Sequence, residues 1–161
     1  MVAQRQAVKI AWFWCVVQRP EATTEPPPLL LFLHGAGERG APDGSELHKV
    51  EKHGPWRAEG LEGFLLVAPQ CPSGLTWPGL AHRVVALARQ MLRRNPGPDP
   101  AMVSLAGLSM GAFGCWAAAA APDLFASVVA VCGGWAPPLP RAVTLREVVG
   151  MARVGVPASE V

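Results

Sequence analysis

Five residues, Gly107-Leu108-Ser109-Met110-Gly111, match the pattern G-x-S-x-G. In that pattern a serine sits on a sharp strand-to-helix turn that presents its hydroxyl as a nucleophile. The chemistry it suggests is acyl transfer, in which the hydroxyl attacks a carbonyl carbon and backbone N–H groups stabilise the oxyanion that forms. A bare match also fits a glycine-rich turn with an incidental serine, so the flanks decide. Apolar residues 102–106 (MVSLA) lead directly into the pattern, and 110–121 (MGAFGCWAAAAA) begin directly after it. Glycine two positions before and two after the serine leaves room for a tight turn. Ser109 then lies near a helix N-terminus, where the dipole favours developing negative charge.

A second stretch, His34-Gly35-Ala36-Gly37-Glu38-Arg39-Gly40, follows the apolar run Leu29–Leu33. One oxyanion donor should come from Met110, the residue after the nucleophile, and the other from a loop of this kind. Gly35, Ala36 and Gly37 are small enough for their backbone to approach a ligand. A phosphate cradle is a poorer reading, because no Lys-Ser or Lys-Thr follows. Glu38 and Arg39 read as an ion pair holding the loop, and His34 as a support at its strand end. His48 and His53 fall in the segment after this loop, in solvated or structural roles, and His82 lies on a helix's polar face.

These motifs need a scaffold, and the order of elements predicts one. Apolar runs at 8–17, 29–33, 64–68, 102–106 and 127–132 alternate with helical patterns. That is the α/β order of a mostly parallel sheet flanked by helices. The runs 29–33 and 64–68 do not alternate, as expected of strands covered on both faces. Trp12, Phe13 and Trp14 suit a buried strand. Over 79–94, Leu80, Val84, Leu87, Ala88, Met91 and Leu92 share one helical face, and Arg93 and Arg94 favour its C-terminal end. The second helix, 110–121, has almost no polar face and should be buried.

The chain has 161 residues, enough for a single domain, and half of them are hydrophobic. A net charge of +2 gives no case for nucleic acid or an anionic membrane. No apolar run reaches the ~20 residues of a membrane span. The segment 10–17 makes a better strand than a secretory leader, so a cytoplasmic location is expected. Cys15, Cys71, Cys115 and Cys132 lack metal-ligand spacing and read as buried, reduced thiols. Neither a metal nor a cofactor is expected.

The sequence resembles the esterase, depolymerase and predicted-peptidase branch of the α/β-hydrolase superfamily over roughly residues 29–135. The resemblance rests on LLLFLHGAGERG, LHKVEKHGPW (47–56), FLLVAPQCP (64–72), LAGLSMGAFGCW and PDLFASVVAVCGG (122–134), in that order. It implies a serine hydrolase acting on a small carboxylic ester, with Ser109 as nucleophile and Ala36 and Met110 as oxyanion donors. Such enzymes carry an acid and then a histidine after the serine. Here His34, His48, His53 and His82 all precede Ser109, and only Asp123, Glu147 and Glu160 supply later side-chain carboxylates.

Residues 1–134 therefore read as the N-terminal part of such a domain, incomplete at its C-terminal edge. Residues 135–161 read as a divergent proline-rich tail with a short amphipathic helix at 143–154, carrying Leu145, Val148, Val149 and Ala152 on one face. The expectation is a truncated form with impaired turnover. The alternatives are a non-catalytic binding or regulatory fragment, or a site completed by another chain. The last strand, 127–132, would be an apolar edge open to self-association.

Overall fold

The computed structural model describes residues 5–20, 25–94, 97–121 and 123–133. Six strands form one sheet: β1 (Arg5–Ile10), β2 (Phe13–Gln18), β3 (Leu29–Leu33), β4 (Leu65–Pro69), β5 (Val103–Leu108) and β6 (Ser127–Val131). Their spatial order is β1-β2-β4-β3-β5-β6. The pairs β1–β2 and β2–β4 are antiparallel, while β4, β3, β5 and β6 run parallel. Helices α1 (Ala81–Leu92) and α2 (Met110–Ala118) complete the frame.

The run 8–17 is not one strand but a hairpin. Ile10 pairs with Phe13, leaving a two-residue turn of Ala11 and Trp12. Such turns need left-handed backbone, normally supplied by Gly or Asn. Here Ala11 adopts it, at φ 53°, so the usual composition signal is missing. Trp12, expected in a buried strand, is instead 40% exposed at that turn.

Every residue of β3 and β4 is buried. Leu29, Leu31 and Leu33 join the main core with Phe13, Trp77 and the α1 residues Val84, Leu87 and Met91. α1 is shorter than its sequence pattern and is preceded by a 3-10 turn, Pro78–Leu80. α2 also ends earlier than expected, and Phe113 on it is exposed while Gly111, Gly114 and Cys115 are buried.

On the opposite face Phe32 and Val16 pack with Leu47 and Val50 of a 3-10 segment, Leu47–Glu51. Ala106 and Leu108 of β5 pack against this cluster but are only half-buried. Leu30, Phe32, Ala106, Leu108, Val129 and Val131 line an apolar groove of about 470 Å³. In β5 buried Val103, Leu105 and Gly107 therefore alternate with half-buried Ser104, Ala106 and Leu108. β6 ends the described sheet, with Val128 its buried residue. The tail helix expected at 143–154 lies outside the described residues. Among the described residues no helix is long and apolar enough to cross a membrane.

Candidate active site

β3 and β5 are neighbours in parallel register, with Leu33 opposite Gly107. Their carboxyl ends therefore deliver His34 and Ser109 to the same end of the sheet. Open α/β sheets bind ligands outside the carboxyl ends of their strands.

At the end of β5 the chain turns straight into α2. Ser109 makes that turn with φ 52° and ψ −113°, a conformation that costs a non-glycine residue of order 1–3 kcal/mol. Its N–H donates to the carbonyl of Val131 at 2.8 Å, and its carbonyl accepts from Ala112 N–H at 2.9 Å. The backbone is thus held on both sides while the residue itself is exposed. Among the described residues its hydroxyl has no hydrogen-bond partner.

The flanking glycines are steric necessities. A Cβ on Gly107 would run into the backbone of Gly111 and lie 2.7 Å from Cys115 Sγ. A Cβ on Gly111 would strike the carbonyl oxygen of Leu33, with the carbonyl carbon at 2.6 Å. Turn, helix and strand are too close for a methyl group.

The loop after β3 comes against this turn. A Cβ built on Gly35 would lie 3.8 Å from Ser109 Cβ and 3.8 Å from Leu108 O. Ala36 then opens a 3-10 turn, Ala36–Glu38, and Met110 opens α2. The first amide of a helical segment has no partner within that segment. Ala36 and Gly37 are exposed, and nothing lies within 4 Å of a Cβ built on Gly37.

Arg39 fastens this loop, though not through the ion pair expected with Glu38. Its Nε donates to Ala36 O at 3.0 Å and Nη1 to Leu75 O at 3.4 Å. The Glu38 carboxylate turns inward. It is buried, 3.6 Å from His53 Nε2 and 3.9 Å from His34 Nδ1.

His34 is fully enclosed. Its Nδ1 lies 2.6 Å from the carbonyl of Gly35, and its Nε2 is 2.9 Å from the backbone N of Cys71. An amide can donate only to an unprotonated nitrogen, so Nε2 is the acceptor and Nδ1 carries the proton. Burial lowers the imidazole pKa below its ordinary value, against the opposing pull of the Gly35 carbonyl and the Glu38 carboxylate. His34 is therefore neutral, with both nitrogens engaged. His48 and His82 are exposed, and the His53 side chain is half exposed.

Three supporting residues have no signal in the sequence motifs. Trp77, fully buried, donates from Nε1 to His34 O at 2.9 Å and meets the imidazole edge-on at 5.1 Å. Cys71 supplies the amide that fixes the tautomer. Gln70 Nε2 donates to Glu38 O at 3.0 Å and Glu46 O at 2.8 Å, tying β4's end to the loop. Gln70 and Cys71 lie inside the resembling block 64–72, yet only their long-range partners reveal what they do.

Cys15, Cys71 and Cys115 are buried free thiols. Burial raises all three pKa values, to about 12 for Cys15 and about 11 for Cys71, so none is a thiolate nucleophile near neutral pH. Cys132, expected to be buried, is exposed just beyond β6 because the chain bends there, at φ 52°. Among the described residues no group of three or more His, Cys, Asp or Glu side chains could hold a metal ion.

The fold is that of the α/β-hydrolases. A thermostable esterase superposes with a TM-score of 0.62 at 26% identity, covering 83% of this chain and 41% of its own. Acetyl xylan esterase from Aspergillus awamori gives 0.63 at 18% identity, over 83% of this chain and 53% of its own. Pyrococcus horikoshii acylaminoacyl peptidase gives 0.58 at 15%, over 83% and 24%. The chain thus spans from about a quarter to about half the length of these three proteins. No family model matches it, and no curated protein matches it.

Proposed function

We propose that Ser109 is the nucleophile of a carboxylic-ester hydrolase site acting on small esters, with the amides of Ala36 and Met110 as oxyanion donors. His34, Gly35, Gly37, Glu38 and Arg39 shape the loop that carries the first donor. The observation that carries this reading is the backbone of Ser109. A strained, exposed serine is held by hydrogen bonds on both sides, where ordinary packing would favour glycine. Strain of this kind concentrates at functional sites.

In the reaction, Ser109 Oγ bonds to the ester carbonyl carbon as its proton departs, and the carbonyl oxygen takes the negative charge between the two amides. Collapse expels the alcohol, leaving an acyl-serine that water cleaves by the same steps in reverse order. Both stages need a base. His34 is unsuited, since each of its nitrogens is already engaged, and the sequence holds no histidine after Ser109. Loss of the triad base costs roughly 10⁶-fold in turnover, while the oxyanion donors retain part of the acceleration. The 161-residue chain therefore accepts an acyl or phosphonyl group slowly and turns over poorly.

A fluorophosphonate probe tests this. Expected is slow one-to-one modification at Ser109, lost in Ser109→Ala, with hydrolysis of p-nitrophenyl acetate close to the buffer rate. Labelling that survives Ser109→Ala overturns the assignment of the nucleophile. No labelling at any probe concentration ends the hydrolase reading and leaves a non-catalytic, ligand-binding role.

A further inference from the structure

The apolar groove of about 470 Å³ is lined by Leu61 and Phe64 from the loop before β4 and by Ala106, Leu108, Val129 and Val131 from β5 and β6. All six are half-buried, so part of each side chain remains accessible. We propose that residues 143–154 of this same chain fold as an amphipathic helix and occupy the groove. The segment lies outside the described residues, and three observations point to it as the occupant.

The first is position. Val131 lines the groove, and the described residues end two positions later at Gly133. Only residues 134–142 then separate that end from the segment. With Pro137, Pro138 and Pro140 among them they favour an extended course of about 3.1 Å per residue, so reach does not limit the docking. A short tether also holds the segment near the groove at an effective concentration in the mM range, far above that of a second copy in dilute solution.

The second is pattern.

Leu145, Val148, Val149 and Ala152 share one helical face. A helix over 143–154 would be about 18 Å long, enough to cross β3, β5 and β6 at their spacing of about 4.8 Å. So short a helix, with Gly150 inside it, is marginal alone in water and needs an apolar surface to fold against.

The third is charge. Arg146 and Arg153 stand seven positions apart, two turns along one flank of the apolar face. Glu59 and Glu62, both exposed, lie on either side of the groove residue Leu61. A helix seated with its apolar face inward can turn its arginine flank to these carboxylates.

Photo-crosslinking in the full chain tests the docking, with Val149→p-benzoylphenylalanine as the probe and peptide mass spectrometry as the map. Chains of natural and heavy-nitrogen composition are mixed, which separates links within a chain from links between chains. Expected is a link within one chain to the peptides holding 61–64 or 127–131. Links between chains make the occupant a second copy and overturn the proposal. Links confined to other parts of the chain overturn it too, as does a yield no higher than in concentrated urea. Urea melts give a second measurement. Val149→Asp should lower the midpoint by about 1 M, and Val154→Asp, on the opposite side of the helix, by less than half as much. An unchanged midpoint in Val149→Asp, or an equal fall in both variants, overturns the docking. Neither readout depends on hydrolysis, so a failed ester assay at Ser109 has no bearing on it.

Discussion

His34 and Ser109 stand one residue beyond the ends of adjacent parallel strands, and the protein treats them in opposite ways. His34 is enclosed, and its ring and carbonyl are tied to Gly35, Cys71 and Trp77. Ser109 is exposed, its backbone is strained, and only its main-chain groups are held. Both carry side chains capable of general-base or nucleophilic chemistry. The difference is that satisfied hydrogen bonds convert one into a brace, while strain and exposure keep the other available. The contacts of His34 lie at the start of the loop that comes against the serine turn.

The largest expected effect comes from the contact that joins the two regions. Gly111→Ala drives a methyl group into the Leu33 carbonyl just before His34. Overpacking against backbone should cost about 3 kcal/mol or more, seen as a fall in the urea midpoint at unchanged slope. Stability within 1 kcal/mol of the parent would mean the turn and β3 are not in contact.

Next in size is His34→Leu, which leaves the Cys71 amide buried without an acceptor. A loss of about 2 kcal/mol is expected at pH 7.5. The same variant tests the charge state. The imidazole faces the Gly35 carbonyl and Glu38, which favour protonation, and Arg39, which opposes it, but desolvation dominates and lowers the folded-state pKa. The unfolded chain thus takes up the proton first, near the ordinary value of about 6.5. The contribution of neutral His34 is complete above that pH and declines as pH falls through the folded-state pKa. Urea melts between pH 7.5 and 5 should show this decline in the parent and a shallower one in His34→Leu. A steeper decline in the variant would refute the neutral brace.

The smallest effect has the opposite sign. Ser109→Gly removes the side chain that makes φ 52° costly, and should stabilise the chain by about 1 kcal/mol while abolishing labelling. A destabilised glycine variant would show that the hydroxyl contributes to folding, against its unpartnered state.

Much of this arrangement is legible along the chain. Leu29–Leu33 and 64–68 read as doubly covered strands because continuous apolar runs leave few other solutions, and β3 and β4 are buried throughout. The serine turn is announced by a local pattern, although its hydrogen bond to Val131 O and its contact with Leu33 come from distant strands. The hairpin at Ala11 escaped because left-handed backbone was assigned to alanine rather than to Gly or Asn. The Glu38–Arg39 pairing failed for a different reason. Adjacency in sequence does not decide which way a charge turns, and Arg39 found carbonyl acceptors at Ala36 and Leu75 while Glu38 faced two imidazoles.

Sequence alone determined the α/β layout and placed Ser109 at a strand-to-helix turn, because hydrophobic periodicity sets the elements and the glycine-flanked serine marks their junction. Tertiary structure decided what the polar residues became. Trp77, Cys71 and Gln70 are brought from more than thirty positions away to hold His34 and the Glu38 carbonyl. Lys9, Trp12, Trp14 and Gln70 form a cavity that no local pattern announces. Hydrogen-bond satisfaction and burial are properties of assembled neighbours, and only the packed sheet brings those neighbours together.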